Sequence, residues 1–374
     1  MRKTEKGGKH LKKKNETVSS TAEEKKPAVS KKKSETVSSA AEERKPAASK
    51  KKKAKVAVGF VMLLLIIALL AFLVANHYLD KINRENLDDV IDAENETFDG
   101  DGGEDGIDPN DIFWGDVPTF NDKNLVNILL VGQDARPGQG RQRSDTMIVC
   151  SVNTKTKEIS LISFLRDLYV QLPGKYSDNR LNAPYAFGGF DLLKQTIQLN
   201  FGIPIDGCFE VNFDGFKDVI EILGGVNIKL TSAEASLINR KVGGNLTEGP
   251  NELNADQALY YARIRKLDSD FGRTDRQRKV LTEVFNSLKG SSLKELNALA
   301  NKILPCMTTD MTNKQIMALI AKCYGALDNE LQTYHVPADD AYYNAMIKGM
   351  AVLVPDLPLI REQLETYMPL TNKK

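Results

Sequence analysis

The sequence contains few of the residues that most often carry metal and nucleophilic chemistry. Its 374 residues include only three histidines and four cysteines. After the first 55 residues the only histidines are His77 and His335, and neither belongs to a motif, so we do not expect histidine-based acid–base catalysis. The cysteine spacing does not match a zinc site. No Gly-x-Ser-x-Gly elbow is present, which argues against a serine hydrolase.

The cysteines are Cys150, Cys208, Cys306 and Cys323. The first two lie in apolar, strand-like runs, where a buried thiol is expected. Cys306 and Cys323 are 17 residues apart in a region with a helical pattern. A disulfide between these two is a candidate if this part of the chain lies in an oxidising compartment.

Charge is strongly segregated along the chain, although the net charge is only +1. Residues 1–55 hold 19 basic and 7 acidic residues, whereas residues 77–123 hold 3 basic and 15 acidic residues. Between them lies an uncharged run, Val56–Ala75. We therefore expect a basic tail, an apolar span, an acidic linker and a balanced body.

The uncharged run is long enough to cross the hydrocarbon core of a membrane, which predicts one transmembrane helix at residues 56–76. A cleaved signal peptide is the alternative, but its apolar segment is usually only ~7–15 residues long. The basic excess before the span predicts a single-pass protein of the cell membrane. Its N-terminus would be cytoplasmic and its body extracytoplasmic.

The tail, residues 1–55, contains a duplication, because Glu16–Lys33 returns as Glu35–Lys52. It has too few apolar residues to form a core and is predicted to be disordered. Its lysine clusters suit the anionic lipids of a membrane surface. Nothing aromatic is interleaved with them, so nucleic acid is not an expected partner. The acidic, glycine-containing residues 77–123 predict a flexible linker.

Strands alternate with helical patterns from Leu125 onward. Strands are predicted at Leu125–Val131, Thr146–Val152, Ile159–Phe164, Phe209–Asn212 and Val226–Leu230. This alternation predicts an α/β fold over residues 124–290, an α-β-α sandwich around a central mixed sheet. Residues 291–374 read as a mainly helical C-terminal extension with one possible strand, Gln332–Val336.

Arginine and aspartate recur in short blocks of this predicted domain. The blocks are Gly132-Gln-Asp-Ala-Arg136, Arg143-Ser-Asp145, Ser163-Phe-Leu-Arg-Asp167, Tyr261-Ala-Arg-Ile-Arg265 and Phe271-Gly-Arg-Thr-Asp-Arg-Gln277. A guanidinium fork matches phosphate oxygens two at a time, and nearby carboxylates suit Mg²⁺ shared with substrate phosphates. These blocks therefore predict a site for a phosphate-rich ligand and for phosphoryl transfer.

The blocks closely resemble those of the LytR-CpsA-Psr family of cell-wall transferases. The resemblance covers residues 125–288 and also includes Asn127–Asp134, Arg180–Gly189 and Leu223–Val226. Two positions depart from the family pattern. Leu165 stands where the family usually has proline, and Arg180 stands where it commonly has lysine.

The resemblance implies Mg²⁺-dependent transfer of a glycopolymer from a polyprenyl-pyrophosphate carrier to peptidoglycan, with formation of a phosphodiester. The polymer would be a wall teichoic acid, a capsular polysaccharide or another secondary wall polysaccharide. Asp134 and Asp145 would hold the metal. The pyrophosphate would be bound by Arg143, Arg166, Arg263, Arg265 and Gln277, with Arg273 and Arg276 bracing this set or contacting the acceptor. The catalytic set would be Asp134, Arg166, Arg263 and Arg265.

Two other functions fit the same residues. The chain could be a membrane-tethered regulator of envelope gene expression that binds lipid phosphate or other polyanions. It could also hydrolyse a polyprenyl pyrophosphate, with water as the acceptor. A transferase needs an acceptor base, for which Asp134 is favoured over Asp145.

Overall fold

The structure is a computed structural model that describes residues 48–85, 107–133, 140–338 and 340–372. The helices are α1 (Ala48–Leu79), α2 (Ala183–Phe201), α3 (Phe213–Ile222), α4 (Ser232–Lys241), α5 (Ala255–Ala262), α6 (Asp270–Gly290), α7 (Leu293–Ile303), α8 (Asn313–Cys323) and α9 (Leu357–Tyr367). The strands up to residue 230 are β1 (Asn83–Arg84), β2 (Leu125–Gln133), β3 (Ser144–Asn153), β4 (Ile159–Phe164), β5 (Tyr169–Val170), β6 (Asn179–Arg180), β7 (Gly207–Val211) and β8 (Val226–Leu230). The later strands are β9 (Gly249–Leu253), β10 (Met307–Thr309), β11 (Leu331–Val336), β12 (Tyr342–Ile347) and β13 (Met350–Pro355).

The centre of the fold is a mixed sheet with strand order β1-β10-β7-β2-β3-β4-β11. Strand β2 pairs in parallel with β7 and antiparallel with β3, and β4 pairs in parallel with β11. The predicted mixed sheet is therefore confirmed, and β4 has the predicted bounds. Strand β8 also has its predicted bounds, but it pairs with β9 in a separate sheet of two strands.

Side chains of β2 alternate between the two faces of the sheet, as expected for period-two strands. Leu129 and Val131 belong to the main core cluster, to which α2 and α9 also contribute. Val126 and Ile128 belong to a second cluster on the opposite face, together with Ile316 of α8. Helices therefore flank both faces of the sheet, as the sandwich prediction requires.

Helix α1 contains the predicted membrane span. Among the residues that the structure describes, no helix combines the length and the apolar content that a membrane crossing requires. The tail prediction for residues 1–47 lies outside the described residues, and residues 48–55 belong to α1.

The predicted linker, residues 77–123, is packed against the body at both of its described ends, so the prediction of a flexible spacer is wrong there. Leu79 and Ile82 are buried in the cluster that contains Val126, and β1 pairs with β10. At the other end, Phe120 is buried in the main core. These apolar side chains anchor a segment whose average composition is acidic. Residues 86–106 of the predicted linker lie outside the described part.

The predicted boundary at residue 290 does not separate two parts of the fold. Strands β10 and β11 lie in the central sheet, and β11 confirms the strand predicted at Gln332–Val336. Strands β12 and β13 form a hairpin whose turn, Lys348-Gly349, has φ of 49° and 74°. Positive φ at both central turn residues is typical of a type I′ hairpin, a signal that the mainly helical prediction missed.

The four cysteines are free thiols, so the predicted Cys306–Cys323 disulfide is not formed. Cys306 lies against Gly215 of α3, whereas Cys323 packs with Cys150 beside the other edge of the sheet. The spacing of Cys306 and Cys323 in the sequence did not show that the two thiols pack against different elements. Burial raises the pKa of Cys150 to about 12, which keeps its thiol protonated at neutral pH.

Candidate functional site

Five of the predicted site residues, Asp145, Arg263, Arg265, Arg273 and Gln277, converge at one edge of the central sheet. The carboxyl ends of β2, β4 and β7 and the amino end of β3 meet there, because β3 runs antiparallel to β2 and β4. A cavity of about 320 Å³ opens at this edge. Its lining residues are Gly132, Gln133, Asp145, Thr146, Phe213, Arg263, Arg265, Arg273 and Gln277. Ligands of open α/β sheets commonly bind at such an edge.

Asp145 joins the arginines of the site. Its Oδ1 accepts a hydrogen bond from Nη1 of Arg166 (2.8 Å), and its Oδ2 accepts one from Nη2 of Arg265 (3.0 Å). Its backbone carbonyl accepts one from Nη2 of Arg273 (3.2 Å). Burial of Asp145 opposes its ionisation, but the hydrogen bond from Arg166 and the three guanidinium charges outweigh it. The pKa of Asp145 is therefore below its ordinary value, and the group is a carboxylate at neutral pH.

Arg263 and Arg265 both line the cavity because α5 ends immediately before them. Arg263 is the C-cap residue of α5, with φ −106° and ψ 1°, so the chain leaves the helix at this point. Its guanidinium lies 4.5 Å from the centroid of the Phe213 ring, a cation–π contact. The side chain of Arg265 is 46% exposed, and Arg263 is exposed as well, whereas Arg273 is buried.

Arg273 and Gln277 come from the first turns of α6. Arg273 is almost fully buried, and its Nη2 donates to Oδ2 of Asp270 at 2.9 Å. Its Nε and Nη1, which are both donors, have no hydrogen-bond partner within the described residues. Buried donors without partners are costly unless a ligand satisfies them. This end of the cavity is therefore suited to an anion with several oxygens.

The sequence matches one protein family over most of its length. The sequence model of the LytR_cpsA_psr family matches residues 81–367, well over half of the chain. The chain belongs to this family. The match extends beyond the 125–288 segment on which the resemblance rested, in agreement with the strands that the C-terminal region adds to the sheet.

Proteins with known names support the same assignment. A Bacillus anthracis protein named polyisoprenyl-teichoic acid–peptidoglycan teichoic acid transferase TagU is 34% identical over 219 residues, 57% of this chain and 69% of that protein. A Halalkalibacterium halodurans protein of the same name is 36% identical over 207 residues, 54% of this chain and 66% of that protein. Among solved structures, B. subtilis TagV has a TM-score of 0.51 at 30% identity and covers 67% of this chain and 100% of its own. A structure titled "TagT bound to LI-WTA" has a TM-score of 0.54 at 25% identity and covers 72% of this chain and 98% of its own.

The leucine that replaces the usual proline of the LytR_cpsA_psr family has a defined role in this fold. Leu165 is fully buried, and its N–H donates to the carbonyl of Val336 at 3.0 Å. Proline has no N–H and could not make this bond. The leucine thus prolongs the pairing of β4 with β11 by one residue. Arg166 follows directly and remains in place to bind Asp145.

Arg166 itself does not line the cavity but forms ion pairs with Asp145 of its lining and with two nearby carboxylates. Besides Asp145, its Nε lies 3.5 Å from Oδ2 of Asp167 and 3.8 Å from Oδ1 of Asp270. Burial raises the pKa of Asp270, although the charges of Arg273 and Arg166 partly offset that effect. Arg166 is therefore placed behind Asp145, where it can reach a ligand only if that ion pair opens.

Arg143 and Arg180 flank the cavity without lining it. Arg143 is half-buried just before β3 and is close enough to Arg180 to lower the pKa of that guanidinium, although burial is the larger cause. Arg180 donates from Nε and Nη2 to the carbonyl of Ala351 at 3.1 and 2.6 Å. The arginine that replaces the family's common lysine thus ties β6 to the β12–β13 hairpin.

Arg276 was predicted to brace the pyrophosphate-binding residues or to contact the acceptor, and its position behind the site agrees with the first alternative. Its side chain is 2% exposed and ion-pairs with Asp268 at 2.5 Å and Glu234 at 3.7 Å. Its Nη2 also donates to the carbonyl of Ile264 at 3.3 Å. Ile264 lies between Arg263 and Arg265 in the chain. Arg276 therefore braces the loop that carries them, and Gly272 allows this because a Cβ there would be 2.1 Å from Oδ2 of Asp268.

We expect Arg276→Met to lower both stability and activity. The substitution leaves Asp268 and Glu234 without a cation and frees the loop of Arg263 and Arg265. Loss of one partner from a buried ion pair costs about 3–5 kcal/mol, and the partial exposure of Asp268 reduces this to about 2 kcal/mol. Calorimetry should therefore show a Tm lower by about 4–8 °C.

The matched control for Arg276 is Lys279→Met on the same helix. Lys279 makes an exposed ion pair with Asp275, which is worth only about 0.3–0.5 kcal/mol. The control should keep its Tm within about 2 °C. Equal Tm values for Arg276→Met and the unmodified chain would show that Arg276 does not brace the loop.

Sequence reasoning missed the polar network that supports Gln133. Nε2 of Gln133 donates to Oε1 of Glu210, and the hydroxyl of Tyr185 donates to Oε2 of Glu210 at 2.7 Å. Oε1 of Gln133 accepts from the N–H of Gln142 at 2.7 Å. Glu210 and Tyr185 are buried, and burial raises the pKa of Tyr185 far above its ordinary value. Gln133 adjoins Asp134 in the first block, which was the only sequence signal for this network.

Asp134 lies outside the described residues, so its predicted roles in metal binding and proton transfer remain predictions. Within the part of the chain that is described, no three residues of the His, Cys, Asp and Glu types form a metal-binding group. Asp145 nevertheless fits Mg²⁺, because this ion usually takes one or two carboxylates and completes its shell with water and substrate phosphates.

Proposed function

We propose that this chain transfers a glycopolymer from a polyprenyl-pyrophosphate carrier to peptidoglycan and joins the two polymers by a phosphodiester. The observation that carries the proposal is the cavity in which Arg263, Arg265 and Arg273 meet beside Asp145. Three guanidinium groups suit a diphosphate. The buried Nε and Nη1 of Arg273 have no hydrogen-bond acceptor within the described residues. Family membership and the named relatives point to the same reaction class.

The polymer that we propose to test first is a wall teichoic acid. The named relatives are teichoic acid transferases, and one similar structure is described as bound to LI-WTA. A capsular or other secondary wall polysaccharide on the same carrier would present the same diphosphate to the cavity. The arginines would therefore bind it in the same way, and the saccharide would differ only beyond the diphosphate.

In the reaction, an acceptor hydroxyl attacks the phosphorus that carries the glycopolymer. A new P–O bond forms, the bond from that phosphorus to the bridging oxygen breaks, and polyprenyl monophosphate leaves. The proton of the hydroxyl goes to a base, for which we propose Asp134. Such transition states spread charge over the phosphoryl oxygens, so catalysis depends mainly on positioned cations. Arg263, Arg265 and Arg273 would bind and orient the diphosphate, with Arg276 holding the loop of the first two.

Mg²⁺ is the proposed metal, with Asp145 and Asp134 as its protein ligands. The ion, when bound, would supply positive charge to the phosphate oxygens. Asp145 is ionised and accepts hydrogen bonds through both of its oxygens. Metal and diphosphate together would redirect the Arg265 contact from Asp145 to the substrate.

We also propose that residues 56–76 anchor the chain in the cell membrane, with the tail cytoplasmic and the body extracytoplasmic. The support is the uncharged run Val56–Ala75 and the basic excess that precedes it. This placement would tether the body to the membrane that holds the lipid-linked substrate.

The test uses the purified full chain in phospholipid nanodiscs with Mg²⁺, a synthetic polyprenyl-pyrophosphate saccharide and peptidoglycan oligomers. Mass spectrometry should detect a saccharide-phosphate adduct on the oligomers. Release of saccharide phosphate in the absence of oligomers would instead indicate the hydrolase. Carrier binding without adduct or release, together with a change in envelope gene expression when residues 1–50 are deleted, would indicate the regulator.

A further inference from the structure

A second cleft lies directly beside the arginine cavity. It has a volume of about 640 Å³ and is formed by the β12–β13 hairpin, the start of α6 and Asp167. The lining residues are Asp167, Ser269, Asp270, Phe271, Tyr342, Asn344, Ala345, Met346, Ala351, Val352 and Leu353. A volume of this size accommodates one or two sugar residues, and the proposed function assigns no role to the cleft.

The lining has the composition of a saccharide site. The rings of Phe271 and Tyr342 lie 5.5 Å apart at 34° and form a continuous aromatic surface. Such a surface packs against the C–H face of a sugar ring, while carboxylate and amide groups bind its hydroxyls. Asp167, Asp270 and Asn344 supply those groups.

The charge of the lining favours an uncharged sugar over another phosphate. The described residues of the cleft include two carboxylates and no lysine or arginine. A polyanionic glycopolymer would therefore be repelled from this cleft and attracted to the arginine cavity. Both carboxylates are fixed by ion pairs from outside the cleft, Asp167 with Arg180 and Asp270 with Arg273.

The cleft and the cavity share a wall. Asp270 lines the cleft, and its Oδ2 lies 2.9 Å from Nη2 of Arg273, which lines the cavity. A sugar in the cleft would thus present hydroxyl groups next to a diphosphate held by Arg273. A two-substrate transferase needs this arrangement, because it must bring the acceptor hydroxyl to the phosphorus.

The hairpin that forms the far wall is tied to the site rather than loosely attached. The N–H of Leu353 donates to the carbonyl of Asp167 at 2.9 Å, and Arg180 donates twice to the carbonyl of Ala351. Asp167 follows Arg166 in the chain. The hairpin is therefore held in a fixed position relative to the ion-pair network around Asp145.

From this geometry we propose that the cleft between Phe271 and the β12–β13 hairpin binds a sugar residue of the acceptor glycan strand. This inference rests on the proposed function, because it assigns a binding site to the acceptor of the same reaction. The aromatic rings hold the face of the sugar, and Asp270 accepts a hydrogen bond from the hydroxyl nearest the arginine cavity.

The test compares Tyr342→Ala and Asn344→Ala with Tyr343→Ala in the full chain. Tyr342 and Tyr343 are adjacent on β12, so their side chains point to opposite faces of the hairpin. Binding of a peptidoglycan-derived glycan oligomer is measured by calorimetry without any lipid-linked donor. We expect Kd to rise at least about tenfold in both cleft variants and to stay within about twofold in Tyr343→Ala.

Transfer kinetics provide the second measurement. The KM for the glycan oligomer should rise about tenfold in Asn344→Ala, whereas the KM for the lipid-linked donor should change less than twofold. Asn344 is exposed, so this variant tests the cleft even if Tyr342→Ala does not fold. Failure of the unmodified chain to form an adduct would refute the proposed transfer, whereas the donor-free binding still tests the cleft. The cleft assignment is overturned if the oligomer binds all of these variants as it binds the unmodified chain.

Discussion

Arg265→Ala is expected to lower kcat/KM for transfer by at least about 100-fold without unfolding the domain. The loss of one positioned donor to developing charge costs about 10²–10³-fold in other acyl- and phosphoryl-transfer sites. Arg265 is half-exposed, and its Nη2 forms an ion pair with Oδ2 of Asp145 at 3.0 Å. It can therefore turn toward a diphosphate at little cost, in contrast to the buried Arg273.

The stability of the Arg265→Ala variant should also change little, because the side chain of Arg265 is half-exposed. An ion pair of which one side chain is 46% exposed contributes no more than about 1 kcal/mol. The Tm should therefore fall by less than about 4 °C. The matched control is Lys266→Ala, which removes the adjacent exposed cation and should leave kcat/KM within about twofold. If Arg265→Ala retains more than half of the activity, Arg265 does not bind the reacting group.

Asp145→Asn is expected to abolish transfer while preserving anion binding. The amide is nearly isosteric but uncharged, so Arg166, Arg265 and Arg273 lose the carboxylate that now neutralises them. A cluster of uncompensated guanidinium groups should still bind inorganic pyrophosphate in the absence of Mg²⁺. We expect transfer to fall by about 10²–10³-fold, because the proposed metal loses one of its two ligands.

Calorimetric titration with inorganic pyrophosphate measures anion binding independently of transfer. In the unmodified chain Mg²⁺ should tighten pyrophosphate binding, and in Asp145→Asn this increase should disappear. Asp275→Asn is the control, because Asp275 lies on α6 outside the cavity and pairs with Lys279 and Arg278. An Asp145→Asn chain that keeps both the Mg²⁺ effect and transfer would contradict the assignment of Asp145.

The sequence identified residues that the fold brings together better than it predicted the extent of the domain. Arg263, Arg265 and Arg273 could be found because they occur in short blocks whose residue types suit phosphate, and the fold brings these blocks together. Strand β4 was predicted with its correct bounds because six consecutive buried residues leave a clear signal. Such local sequence patterns can be recognised without knowing which helix or strand packs beside them.

The features that sequence reasoning missed depend on partners distant in the chain. A bracing role was one of the two predicted for Arg276, but its burial and its partners Asp268 and Glu234 could not be read from its spacing. Strands β10 and β11 join the central sheet through pairing with β7 and β4, about a hundred or more residues earlier. The sequence pattern shows an apolar strand but not the strand with which it pairs.

Determination of the structure of the chain with a polyprenyl-pyrophosphate saccharide and Mg²⁺ would test the central claim most directly. The account predicts that diphosphate oxygens lie within about 3.2 Å of guanidinium nitrogens from at least two of Arg263, Arg265 and Arg273. The saccharide would then extend away from the β12–β13 cleft. A diphosphate bound elsewhere, with the Asp145–Arg265 ion pair intact, would contradict the account.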